Sequence, residues 1–234
     1  DPTPTPQTTA PSSSTPTPEP LPWGPTEPEV QAAIETAATM SDEEVAGQVI
    51  LGRYPGTDPA AAAEQLTRYH LGGLVLFGEN VSSLDQVRAT AEAVQEAQTG
   101  LGRSWPAIFA VDNEGGPVQR LSAETGPWTS FPEFMANGAA DDQDVSRAAA
   151  EAMAIELRAA GLNFDFAPVA DVTVGADDAA IGTRSAGDDP QLVADVVSAA
   201  VHGFTDGGVL SSIKHFPGHG SLQVDSHEGL PEQH

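Results

Sequence analysis

The sequence predicts an α/β fold: a parallel sheet packed against helices, arranged as an incomplete (β/α)8 TIM-type barrel. Three observations lead there. Apolar runs without alternation, such as residues 72–77 (GGLVLF), read as strands buried on both faces. Between such runs lie longer segments with helical periodicity, as in residues 82–99, where Leu84, Val87, Ala91 and Val94 recur on one side. The units repeat every ~35–50 residues, which fits a barrel with elaborated loops better than a compact doubly wound sheet. About five strands can be read, against the eight that a closed barrel requires.

In chain order, residues 1–28 stand apart. The tract DPTPTPQTTAPSSSTPTPEP has almost no apolar side chains, so burial cannot offset the entropy lost on ordering it. We read 1–28 as an extended stalk and 29–234 as the partial barrel. Residues 27–50 predict two short helices, with Ser41 as an N-cap and Glu44 completing its capping box. A first strand is expected at 49–51 and an Ala-rich helix at 59–70. After the strand at 72–77 and the helix at 82–99 come a strand at 106–111 and a helix at 143–160, closed by Gly161. A strand at 164–172, a helix at 190–206 and a strand at 209–213 complete the series.

Composition excludes several classes of partner. Thirty-four acidic and nine basic residues give a net charge of −25, which opposes binding to nucleic acid and to anionic membrane surfaces. No stretch approaches the ~18 apolar residues of a membrane span. The chain has no cysteine, so a disulfide framework and a thiolate metal site are both excluded. A Pro/Thr/Ser tract of this kind commonly follows a removed signal peptide, so a secreted or cell-envelope location is expected.

Three constellations carry titratable groups. Asp112-Asn113-Glu114-Gly115-Gly116 ends the third strand, where Asp112 and Glu114 point the same way, and Arg120 follows with a planar fork suited to hydroxyls or a carboxylate. Alone, this motif reads equally well as a Gly-rich turn with an incidental ion pair. Beyond the fourth strand, Asp165 and Asp171 lie near a loop ending in Ile181-Gly182-Thr183-Arg184-Ser185.

The third constellation follows the last strand: Lys214, the chain's one lysine, then His215, His219, Asp225 and His227. His215 and His219 have zinc-ligand spacing only on a helix, and Pro217 and Gly218 break any helix there, so no metal is expected. Asp225 and His227, two apart, face the same way in an extended segment. A carboxylate so placed fixes the imidazole's tautomer while the other ring nitrogen exchanges a proton with substrate. With no GxSxG elbow and no cysteine, a carboxylate is the expected nucleophile.

KHFPGHGSLQVDSH resembles the signature of bacterial β-N-acetylhexosaminidases of glycoside hydrolase family 3, the NagZ type. AVDNEGGPVQRL, FDFAPVADV and IGTRS resemble that family's other blocks in the same order, and the resemblance covers roughly residues 40–231. It implies a retaining exo-β-N-acetylglucosaminidase built on a (β/α)8 barrel, acting on cell-wall or chitin-derived glycans without a cofactor. On that pattern His227 is the general acid/base and Asp225 orients it. Asp112, Arg120, Arg184, Lys214 and His215 match positions that bind N-acetylglucosamine. The family's nucleophilic aspartate lies well beyond the DSH block, and no residue here matches it. The expectation is that this 234-residue polypeptide alone lacks normal turnover. Alternatives are an N-acetylglucosaminide phosphorylase or transglycosylase, or a non-catalytic sugar-binding cell-wall protein.

Overall fold

The computed structural model describes residues 19–21, 24–122, 125–175, 178, 180–222, 226–227 and 229. Residues 1–18 of the expected stalk, and Asp225, lie outside these. The chain divides into two compact units, one ending at Val45 and one starting at Ala46.

The first unit holds helix α1 (Glu27–Ala37), which begins at a capping box: the Thr26 N–H and hydroxyl both donate to Glu29. The expected capping box at Ser41 is present. The Ser41 N–H donates to Glu44 at 2.9 Å, and the Glu44 N–H returns to the Ser41 hydroxyl at 3.3 Å. It opens helix α2 (Asp42–Gln48), so residues 27–50 do form two short helices.

The second unit is built on one five-stranded parallel sheet. Its strands are β1 (Leu51–Gly52), β2 (Gly73–Leu76), β3 (Ile108–Val111), β6 (Phe164–Asp165) and β7 (Leu210–Ser211), adjacent in that order. Helices α3 (Pro59–Arg68), α4 (Leu84–Gly100), α6 (Gln143–Ala159) and α7 (Pro190–Gly207) connect them. The alternation is therefore that of an α/β fold with a parallel sheet, and no closed barrel forms among the described residues.

The face of each strand follows from parity. Leu74, Leu76, Phe109 and Val111 join one hydrophobic cluster with Leu66 of α3, Val87 and Val94 of α4, Leu157 of α6, and Val196 and Phe204 of α7. The alternate row of register partners, Val75, Ala110, Phe164 and Leu210, lies on the other face, where Leu210 is 61 % exposed. Each fully buried Leu or Phe in the cluster contributes ~1.5–3 kcal/mol.

Two expectations need correction. The strand expected at 164–172 pairs in register only over Phe164–Asp165; beyond it the bonding is irregular, with the Ser212 N–H shared between the Asp165 and Ala167 carbonyls. Past Pro168 the chain rejoins β7's extension through one bridge, Val169 with Lys214. The strand expected at 209–213 is likewise reduced to two residues. Missed altogether were a small antiparallel hairpin, β4 (Asn113–Gly115) with β5 (Val118–Gln119), and a short helix α5 (Phe134–Ala140).

Candidate active site

The carboxyl ends of β3, β6 and β7 converge, and each delivers titratable groups. Just beyond β3, the chain turns through Asp112 into the β4–β5 hairpin. Gly115 and Gly116 have φ of +86° and +54°, and a Cβ on Gly115 would stand 2.4 Å from the Pro132 carbonyl, so the turn requires glycine. The Gln119 side chain fixes the excursion that follows. Its Oε1 accepts from the Phe131 N–H at 3.1 Å and its Nε2 donates to Leu121 O at 2.7 Å.

Lys214 reaches across from beyond β7. Its Nζ lies 2.7 Å from Asp112 Oδ1 and 2.5 Å from Glu114 Oε1. Both carboxylates thus face one ammonium, as strand parity predicts for residues two apart. Glu114 also accepts a bidentate pair from Arg184, Nε to Oε2 at 2.8 Å and Nη2 to Oε1 at 2.9 Å. Burial would raise the Glu114 carboxyl, but the Arg184 hydrogen bonds and the Lys214 charge together hold it below its ordinary range. The same Glu114 hydrogen bonds raise the Arg184 guanidinium.

Arg184 stands at the end of a 3-10 turn, Gly182–Arg184. Asp178 caps the start of that turn by accepting from the Ile181 N–H at 2.9 Å, and the Ser185 hydroxyl closes it onto the Asp171 carbonyl at 2.5 Å. The Asp171 side chain is wholly buried and takes two donors: His215 Nδ1 on Oδ2 at 2.6 Å, and the His219 backbone N–H on Oδ1 at 2.5 Å. Burial pushes the Asp171 carboxyl up, and the His215 and His219 hydrogen bonds outweigh it, leaving the carboxyl below its ordinary range. With an Nδ1–H on Asp171, the His215 Nε2 is left as an acceptor, 3.5 Å from Arg184 Nη2.

Asp165 has a different environment. It shares its sheet face with Leu76 and Val111, so its carboxyl sits on the core side, wholly buried. Oδ1 accepts from the Asn113 N–H at 2.9 Å, while Oδ2 is unpartnered among the described residues. Desolvation drives this carboxyl well above the usual range; the Asn113 N–H and the Lys214 charge oppose the shift without cancelling it.

Asp112, Arg184, Lys214 and His215 are therefore brought together, joined by Glu114 and Asp171, which had not been assigned a binding role. The signal for Glu114 was its spacing from Asp112; Asp171 stood out as a titratable group beyond the fourth strand, but its partners, 44 and 48 residues away, could not be read locally. Arg120 is half-buried after β5; among the described residues it has no ion pair, and its buried Nε has no partner. His227 is exposed on a turn next to Ser226, whose hydroxyl lies 3.0 Å from His219 Nε2. Asp225, the expected partner of His227, lies outside the described residues.

The polar cluster lies beyond the carboxyl ends of parallel strands, the place where α/β folds keep their ligand sites. The family model for the glycosyl hydrolase family 3 N-terminal domain matches residues 39–234, and the chain belongs to that family. It is 38 % identical over 178 residues to a β-hexosaminidase A of Pseudoalteromonas piscicida; the match takes in 75 % of this chain and 29 % of that protein's length. Among solved structures, a family 3 β-N-acetylglucosaminidase from Paenibacillus is similar at 35 % identity with a TM-score of 0.77, over 82 % of this chain and 36 % of that one. NagZ from Neisseria gonorrhoeae, solved with N-trifluoroacetyl-D-glucosamine, is similar at 28 % identity and a TM-score of 0.65, over 79 % and 56 %.

Proposed function

We propose that the protein to which this chain belongs is a retaining β-N-acetylglucosaminidase, acting on N-acetylglucosamine-containing glycans of cell-wall or chitin origin. The observation that carries the reading is the cluster of Asp112, Lys214, Glu114, Arg184 and His215. Three ion pairs among four charged side chains, with an imidazole acceptor, stand together at the strand ends, a donor and acceptor set suited to sugar hydroxyls. Arg120, whose buried Nε has no partner among the described residues, is assigned to the same binding set.

Catalysis then falls to His227, oriented by Asp225. The imidazolium gives its proton to the glycosidic oxygen as the C1–O bond breaks, and an enzyme carboxylate forms a new bond to C1. The neutral ring next takes a proton from water, which attacks C1 and releases the carboxylate. The sheet is read as five strands of a (β/α)8 barrel. In support, apolar Val49, just before the outer strand β1, and Leu210, within the outer strand β7, are 84 % and 61 % exposed, as expected of surfaces that further strands and helices cover. Export remains part of the proposal, on the strength of the Pro/Thr/Ser tract.

The test uses the full-length protein and 4-nitrophenyl N-acetyl-β-glucosaminide, with the anomer of the first product followed by NMR. Release of the β-anomer, and a fall in turnover of ~100-fold or more in His227→Ala with little change in sugar binding, is the expected result. Full activity in His227→Ala, or release of the α-anomer, would sink the assignment.

A further inference from the structure

The mechanism above leaves His219 without a role, yet its position is built from both sides. Its backbone N–H is held by Asp171 Oδ1, the carboxylate that also fixes His215. The segment around it is anchored: the Val174 N–H donates to the Gly220 carbonyl at 3.0 Å, the Leu222 N–H to the His219 carbonyl at 3.1 Å, and Leu222 is buried. A Cβ on Gly220 would lie 2.2 Å from the Val172 carbonyl, so the backbones are in close contact there.

From this fixed base the His219 ring reaches forward seven residues to Ser226, with 3.0 Å between Nε2 and Oγ. Its Nδ1 is buried and has no partner among the described residues. A proton on Nδ1 would be an orphaned buried donor, the costlier of the two tautomers, so the N–H sits on Nε2 and donates to the serine hydroxyl. Ser226 is exposed and directly precedes His227.

The geometry points to His219 as a positioning residue: anchored by Asp171, it latches Ser226 and so holds the turn that presents His227 to the bound sugar. This inference rests on the acid/base role proposed for His227. It also ties the two halves of the site together, since one carboxylate, Asp171, sets both the sugar-facing His215 and the base of the His227 turn.

The experiment measures kcat/KM of the full-length protein on aryl N-acetyl-β-glucosaminides with leaving groups of graded basicity, beside the inhibition constant of N-acetylglucosamine. The variants are Ser226→Ala, His219→Ala, His219→Gln and His227→Ala. A misplaced acid matters most when the leaving group needs a proton. Ser226→Ala and His219→Ala should therefore lose roughly 10–100-fold on a 4-methoxyphenyl glycoside and under about 3-fold on a 2,4-dinitrophenyl one. Inhibition by N-acetylglucosamine should stay within about 2-fold of wild type, because the sugar-binding set is untouched. His219→Gln, which keeps a donor near the Nε2 position, should recover most of the loss.

Equal losses on all leaving groups, or weakened inhibition in step with them, would mean a structural role and overturn the latch. Should the His219 variants fail to fold, the exposed Ser226→Ala decides alone. Full activity in Ser226→Ala with a crippled His227→Ala rejects the latch and leaves the acid/base assignment standing. Full activity in His227→Ala rejects both.

Discussion

At the scale of single residues, three buried carboxylates near the strand ends are held in two different states by their surroundings. Glu114, 3 % exposed at its side chain, is held ionised by a guanidinium and an ammonium. Replacing it as Glu114→Gln leaves Arg184 and Lys214 without their shared partner, and the expected cost is about 3 kcal/mol in chemical denaturation. Glu114 and Asp171 both have lowered folded values, so their contribution is present above the ordinary values of 4.5 and 3.8 and is lost as pH falls below them. Asp165 carries the opposite sign. Its folded value is raised, so its contribution is full below 3.8 and declines as pH rises toward the folded value. Across pH 4–8, Asp165→Asn should therefore gain stability relative to wild type as pH rises. A gap between the two proteins that stays constant with pH would reject the assignment of a neutral buried carboxyl. The family resemblance grouped Asp112, Arg184, Lys214 and His215, and their side chains do lie together, Lys214 on Asp112 and Arg184 near His215. Sequence could not assign Asp171 or the core-side burial of Asp165, which depend on register between distant strands.

At the scale of elements, the long helices were legible nearly to the residue, whereas the short helix α5 and the strand bounds were not. Helix α6 runs over Gln143–Ala159, where periodicity placed a helix at 143–160, because its ends carry a side-chain cap at Asp142 and a left-handed Gly161. An apolar run such as FDFAPVADV gives no sign of where pairing stops, and β6 ended at Asp165, well before the run itself ended. The β4–β5 hairpin was hidden because its residues are charged and Gly-rich. Packing of α6 on α7 rests on small residues: a Cβ at Gly203 would lie 2.2 Å from the Arg147 carbonyl and 2.9 Å from Ala150 Cβ. Gly203→Val should therefore force the helices apart and cost about 1–3 kcal/mol, read as a fall in melting temperature. An unchanged melting temperature would mean that this contact is looser than described.

At the scale of the whole molecule, charge and its placement connect fold to function. A chain with a net charge of −25 places its single lysine and one of its eight arginines against the same carboxylate. Both cations are matched there by Glu114 and Asp112, so the cluster carries no net positive charge that would draw in a polyanion. Alternation of strand and helix made the α/β class readable from sequence. Closure of the sheet was not readable, since it depends on pairing at the outer edges of β1 and β7. The most direct measurement is a crystal structure of the full-length protein with N-acetylglucosamine bound. The sugar hydroxyls should lie within hydrogen-bond distance of Asp112, Lys214, Arg184 and His215, with the His227 ring turned toward the anomeric oxygen. A sugar bound elsewhere, with the Lys214 cluster intact and empty of ligand, would contradict the account.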